Sequence, residues 1–331
     1  MKGKNLICVG IESTAHTFGV GIVTGKGDIL ANEKDVYKPP LGMGIVPQDA
    51  AKHHDTHKEI LLKSAIDKSG ISLDDVNIVA YSCGAGLPPC LLVGANFSFG
   101  LAKKLDIPLI PVCHQVAHIE IGRLATNAKD PVIVYLSGGN SQIIAYAESR
   151  YRIFGETLDI PLGNCLDVVA RGMKLPMPGG PEIERLAKDG KYVELPYVVK
   201  GMDLSFAGIQ TAAIKLFKDG ASKEDVSYSL QETCFAMLSE VTERALAHTG
   251  KTDVLLVGGV ATNKRLQEIL SRMCVERDAK FFVVPHEYAM DNGVMIAWTG
   301  ILAHKSKWKP DVNDKIMPRW RTDDVELTWF K

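Results

Sequence analysis

The segment "PVCHQVAHIEIG", Pro111 to Gly122, carries two histidines four residues apart, His114 and His118. On a helix such a pair shares one face with Cβ atoms about 6 Å apart, so two imidazoles can close on one cation. The same spacing suits two polar residues on a half-buried helix, and it does not by itself separate the two readings. A second set stands in "AAKHHDTHKEI", where His53 and His57 are again four apart with His54 between them. It reads as a solvated or substrate-facing helix, with a second metal face as the alternative. Two glycine turns could receive a phosphate or a base. In "YLSGGNSQ", Gly138 and Gly139 can take positive φ and present backbone N–H groups, while Ser137 and Asn140 add side-chain hydrogen bonds. In "VGGVATN" the glycines lead from a strand into a helix, whose N-terminus favours an anion or admits a base. Glycine turns in α/β chains are mostly plain connections, so neither turn fixes a ligand alone. "GAGLPP" lacks the third glycine of a dinucleotide fingerprint and no G-x-x-x-x-G-K-[ST] run occurs, which excludes by motif a Rossmann dehydrogenase and a P-loop ATPase.

The elements that must carry these residues follow from hydropathy pattern. "NLICVGIEST" reads as a buried strand, and "FGVGIVTGKGDIL" as a second strand and a glycine-rich hairpin. "HKEILLKSAIDKSG" is a helix capped by Gly70, and "VNIVAYSCGAG" a strand ending in a glycine loop. After "NAKDP" the opening pattern returns, since "VIVYLSGGNSQIIAYAESRYRIFGE" is again strand, small polar turn and returning strand. "SYSLQETCFAMLSEVTERALAHTG" is a long amphipathic helix closed by Gly250, and "DVLLVGGVATNKRLQEILSRM" is strand, glycine turn and helix. Two halves that open alike resemble the actin, sugar-kinase and heat-shock-ATPase superfold: an α/β, two-lobed, duplicated fold with nucleotide in the cleft between lobes. The expected division is an N-terminal lobe over 1–128, with 294–331 packing back onto it, and a C-terminal lobe over 129–293 with a helical insertion at about 161–250.

Composition sets limits on function. The 331 residues are 46% hydrophobic and 23% charged, enough for a large core in two lobes. The seven cysteines are odd in number with no C-x-x-C pair, which points to reduced thiols rather than disulfides or a zinc ribbon. With no signal-peptide pattern and no run of about 18 apolar residues, a cytoplasmic location without membrane is expected. The net charge of -1 gives no bulk electrostatic footprint for nucleic acid.

A narrower resemblance rests on long blocks in one order: "GIESTAHTFGVGIV", "HQVAHIEIGR", "YLSGGNSQ", "RYRIFGETLDIPLGNCLDVVAR", "MPGGPEIERLA", "LPYVVKGMDLSFAGIQTA", "VGGVATNKRLQ" and "DNGVMIAW". With the tail "PRWRTDDVELTWF" they cover essentially the whole chain. They resemble the catalytic subunit of the KEOPS complex, the archaeal and eukaryotic tRNA N6-adenosine threonylcarbamoyltransferases, once described as glycoproteases. The resemblance implies one transition metal per chain, iron or zinc, held by His114, His118, Asp291 and sometimes Tyr135; two imidazoles with oxygen ligands suit these ions better than magnesium. It implies an adenylate or ATP-type nucleotide at Tyr135, Leu136, Ser137, Gly138 and Gly139, at Asp167, Gly180 and Glu184, and at Asn263. The implied partners are tRNA, a small dimerising subunit, a kinase-like ATPase, an accessory subunit and a separate synthase that makes threonylcarbamoyl-adenylate. In the implied reaction the N6 amine of the adenine beside the anticodon attacks the carbamoyl carbonyl and AMP leaves. No general base is assigned by the sequence.

The chain departs from the family pattern in the loop "GAGLPPCL", where Ala85 takes a proline position and Pro88 and Pro89 stiffen the following turn, and at Cys113, where asparagine is usual. A metalloprotease of H-E-x-x-H type is disfavoured because Gln115 cannot accept the proton that the motif's glutamate takes. A small-molecule kinase or ATPase of the same superfold remains the alternative, though it has no use for a histidine pair.

Overall fold

The structure, a computed structural model, describes residues 6–39, 44–308 and 315–330. In chain order the first elements are β1 (Ile7–Glu12), β2 (Thr17–Thr24), β3 (Ile29–Val36), α1 (Pro47–Ser69), β4 (Ile78–Gly84), α2 (Pro88–Leu105), β5 (Leu109–Cys113) and α3 (His114–Thr126). There follow β6 (Val132–Leu136), β7 (Ser141–Ala147), β8 (Arg150–Glu156), α4 (Leu162–Gly172), α5 (Gly179–Ala187), the short pair β9 (Val199–Lys200) and β10 (Asp203–Leu204), α6 (Ala207–Lys218) and α7 (Lys223–Thr249). The last are β11 (Asp253–Val257), α8 (Lys264–Glu276), β12 (Lys280–Val283), α9 (His286–Ala289) and α10 (Gly293–Lys305).

These elements form two compact units. One gathers the chain up to Ala125, Glu148–Tyr151 and the chain from Met290 onward; the other gathers Thr126–Ala147 and Arg152–Ala289. Asp291 therefore belongs to the unit that carries α3.

The first unit holds a five-stranded sheet of order β3-β2-β1-β4-β5. β1 pairs antiparallel with β2, while β1 with β4 and β4 with β5 run parallel. Every residue of β1, β2 and β4 is buried, so both faces of the sheet need cover. The helices α1, α2 and α10 supply it. The helix α10 comes unusually near, because Gly10 and Gly21 of the sheet face Gly293 with no side chain between them. A Cβ on Gly21 would stand 2.2 Å from the Val294 nitrogen, and one on Gly293 2.1 Å from the Gly21 nitrogen. The backbones touch, and only glycine permits that.

The second unit repeats the topology. Its sheet, read from the other end, is β8-β7-β6-β11-β12, with β6 antiparallel to β7 and parallel to β11, and β11 parallel to β12. The long helix α7 packs on β6 and β7, α5 and α6 pack beside it, and α4 packs against α5 and α6. The duplicated pattern of the sequence is thus a duplicated strand order.

Helix ends follow local chemistry. Gly70 and Gly250 close α1 and α7 in the left-handed region, at φ 70 and 67, as expected for glycine caps. Pro88 and Pro89 do not stiffen a turn as expected; they open α2, where a missing N–H has no helical partner to lose. All seven cysteines are buried free thiols. Among the described residues no helix is long and apolar enough to cross a membrane.

Candidate functional site

The parallel strand β5 delivers the chain straight into α3, so His114 is the first helical residue and His118 stands one turn on. Both are buried, with ring centroids 4.7 Å apart and planes at 85°. Asp291 arrives from the segment before α10, whose start is fixed by the Gly10, Gly21 and Gly293 contacts and by Asn292, whose Oδ1 accepts the Met295 N–H at 3.0 Å. The Asp291 Oδ1 lies 3.1 Å from His118 Nε2 and 3.5 Å from His114 Nε2. Ligand atoms of the three residues all fall within 4.8 Å of one another.

Behind this trio stands a residue that sequence spacing did not single out. Glu12, at the end of β1 and fully buried, has Oε2 3.0 Å from His114 Nδ1, and its Oε1 accepts the backbone N–H and the hydroxyl of Thr14. A carboxylate only accepts, so His114 donates from Nδ1 and turns Nε2 toward Asp291. This carboxylate–imidazole pairing is the arrangement that fixes ring orientation in metal sites. Glu12 and His114 are 102 positions apart, and only the β1-β4-β5 order brings them together.

Charge follows the geometry. Burial alone would lower His114, but the Glu12 and Asp291 carboxylates outweigh it and hold the ring up to about 9. Burial lowers His118, against the opposing bond to Asp291. Asp291 is itself buried, which would raise it, yet the two imidazoles hold it well below the usual carboxylate range. Two ligands about 2.0–2.1 Å from a tetrahedral ion stand about 3.3 Å apart, and the spacings of 3.1 and 3.5 Å bracket that figure. The residues therefore fit a transition ion.

The fourth implied ligand, Tyr135, is a fully buried residue of β6 in the second unit. Leu136 ends the same strand, also buried. In the turn that follows, Ser137 Oγ accepts the N–H groups of Gly139 and Asn140 at 3.3 and 3.0 Å, so the Gly139 amide is engaged within the turn rather than presented outward. Neither Gly138 nor Gly139 adopts positive φ, contrary to expectation. A Cβ on either would meet nothing within 4 Å. Neither conformation nor internal packing demands glycine here. Gly258 is the opposite case: at φ +91 its Cβ would stand 2.2 Å from the Leu136 carbonyl oxygen, so the "VGG" turn needs it to pass the end of β6.

The remaining implied nucleotide residues serve as ties between helices of the second unit. Asp167 on α4 accepts the Gly179 N–H at 2.7 Å at the start of α5, next to Gly180. Glu184, one turn after Gly180, accepts the Lys264 N–H at 2.7 Å. Asn263 caps α8 through the Leu266 N–H at 3.0 Å and donates to Gln231 at 2.9 Å. Glu184 and Asn263 thus meet at the first turn of α8.

Likenesses to known proteins bear on the family and the fold. The chain matches the model of a family described as TsaD, tRNA N6-adenosine threonylcarbamoyltransferase, over residues 27–298. It is similar to the tRNA N6-adenosine threonylcarbamoyltransferase of Methanopyrus kandleri, with 51% identity over 98% of this chain and 96% of that protein. It is also 51% identical to the probable bifunctional tRNA threonylcarbamoyladenosine biosynthesis protein of Methanocaldococcus jannaschii, covering 98% of this chain but only 61% of that relative. Among solved structures it resembles full-length HypF in its phosphate- and nucleotide-bound form, with a TM-score of 0.61 at 14% identity over 92% of this chain and 47% of that one. This last likeness is one of fold alone, and the α/β fold of the actin, sugar-kinase and heat-shock-ATPase kind stands.

Proposed function

Because the chain belongs to the tRNA N6-adenosine threonylcarbamoyltransferase family, we propose that it transfers the threonylcarbamoyl group of threonylcarbamoyl-adenylate to N6 of an adenine beside the tRNA anticodon, as the catalytic subunit of the KEOPS complex in the cytoplasm. A bond forms between N6 and the carbamoyl carbon, the bond from that carbon to the phosphate oxygen breaks, AMP departs and N6 gives up a proton. The observation that carries a metal-dependent form of this reading is the convergence of His114, His118 and Asp291 under the Glu12 bond.

An iron or zinc ion bound there would supply Lewis-acid polarisation of the carbonyl or hold the threonyl oxygens, a contribution of several kcal/mol. Glu12 keeps His114 Nε2 aimed at the ion position, and burial of both histidines excludes water from that side. In the second unit the 137–139 turn would lie along the adenylate phosphate, since added side-chain atoms at Gly138 and Gly139 meet only open space. Asp167, Gly180, Glu184 and Asn263 would frame the nucleoside.

Charge bears on the partners. The chain has 38 basic against 39 acidic residues, whereas tRNA binding depends on neutralising several phosphates. In this reading the chain supplies the chemistry, while the small dimerising subunit, the kinase-like ATPase and the accessory subunit supply much of the grip on tRNA. The test is transfer by the chain with and without these partners, given threonylcarbamoyl-adenylate from its synthase. Partners should raise transfer and the salt sensitivity of tRNA binding together; efficient modification by the chain alone would defeat this division.

A further inference from the structure

On the edge of the first unit's sheet, β3 and α1 meet through three pairs of side chains. Glu33 and Asp35 lie two apart on β3 and so point to one face. Glu33 accepts from Ser64 Oγ and Lys68 Nζ, each at 2.8 Å. Further toward the start of α1, His53 Nε2 lies 2.7 Å from Asp35 Oδ1, and the rings of His53 and His57 stack with centroids 4.2 Å apart. The ligand atoms of Asp35, His53 and His57 all lie within 4.8 Å of one another. A strand and a helix pinned by the Glu33 contacts hold this trio on rigid elements.

The hydrogen-bond directions select which nitrogens face the cluster. His57 donates from Nδ1 to the His53 carbonyl at 2.7 Å, one turn back, and this leaves Nε2 as its lone-pair nitrogen. His54 donates from Nε2 to the Ala15 carbonyl at 3.0 Å, so in the neutral ring its Nδ1 is an acceptor. Asp35 only accepts, so His53 donates to it from Nε2, and its Nδ1 is the acceptor that faces His54 Nδ1 at 3.4 Å. A divalent ion would take the place of that Nε2 proton and engage the His57 Nε2 lone pair as well.

We infer that Asp35, His53 and His57 form a second metal site, separate from the His114 trio, that takes a divalent transition ion of the zinc class with water in the remaining position. Two imidazoles and one carboxylate are a ligand set for such an ion rather than for magnesium or calcium. Its carboxylate side chain is 48% exposed and His53 14%, so the ion exchanges with solvent more readily than one at the buried His114 site. Asp35 need withdraw only by about 0.6 Å to give the roughly 3.3 Å spacing of two ligands on one ion, and an exposed carboxylate has room to do so. Bound metal would clamp the edge strand to α1.

The full chain, stripped with a chelator and titrated with Zn2+ by calorimetry and with Co2+ by absorption, should bind two ions in two affinity classes. His57→Ala should weaken the lower-affinity class by more than the roughly 10–100-fold that loss of an outer-shell partner costs, leaving the tighter class in place. Asp35→Asn should do likewise. Both positions are partly exposed, and circular dichroism confirms folding of each variant. Binding of a single ion by the unaltered chain, or two ions bound with unchanged affinity by both variants, would overturn the assignment.

Discussion

Replacing Gly293 by alanine should dislodge Asp291 without touching any ligand. The added Cβ would stand 2.1 Å from the Gly21 nitrogen, 2.4 Å from the Val20 carbonyl carbon and 2.7 Å from the Gly10 oxygen, all backbone atoms that cannot rotate away. The start of α10 must therefore retreat from the sheet by more than about 1 Å to reach ordinary contact. Overpacking of this kind costs about 1–3 kcal/mol. Helix propensity alone would give the opposite sign, because alanine is the better helix former by up to about 1 kcal/mol. Asp291 lies two residues before Gly293, and its spacings of 3.1 and 3.5 Å to the imidazoles have little slack; a site held to about 0.5 Å tolerates no shift of that size. Urea unfolding and Zn2+ titration of the stripped chain read the two consequences separately. The expected result is lower stability together with loss of the tighter metal class. Unchanged stability with full tight binding would refute the claim that backbone contact between α10 and β2 sets the site.

Two further substitutions separate local roles. Gly139→Val adds atoms where nothing lies within 4 Å, so stability should hold while adenine-nucleotide affinity falls, as calorimetry would show; unchanged affinity would make the turn a plain connection. Asp159 accepts the Phe206 and Ala207 N–H groups at 2.9 and 3.1 Å and the Ser205 hydroxyl at the start of α6. Burial would raise it, but these bonds and the Ile160 N–H lower it from 3.8 to about 2. A lowered carboxylate contributes stability above about pH 4 that is lost as pH falls through about 2, so Asp159→Ala should cost about 1 kcal/mol at neutral pH, reduced by its exposure. The gap from wild type should close in acid; a gap independent of pH would contradict the cap.

Some of this was legible in the chain and some was not, for physical reasons. Glycine caps at Gly70 and Gly250, the recurring strand–turn–strand and the i, i+4 histidines are local patterns, and local patterns survive into the fold. Glu12 escaped because its bond to His114 depends on strand order across 102 positions. Asp35 escaped in the same way, since a strand residue gives no spacing signal toward a helix pair. The glycines show how composition misleads when the backbone is unknown. Gly138 and Gly139 looked like positive-φ positions and are not, Gly258 is one for internal packing, and Gly10, Gly21 and Gly293 serve a backbone contact that no motif announces. Pro88 and Pro89 read as a turn because their helix begins with them.

The most direct test compares the unaltered chain with Asp291→Ala in a single-turnover assay with threonylcarbamoyl-adenylate, tRNA and the partner subunits, with metal content measured on the same samples. The account predicts threonylcarbamoylated adenine from the unaltered chain, and from the folded variant neither the tighter-bound ion nor product above background. Full-rate transfer by a variant that lacks that ion would contradict it.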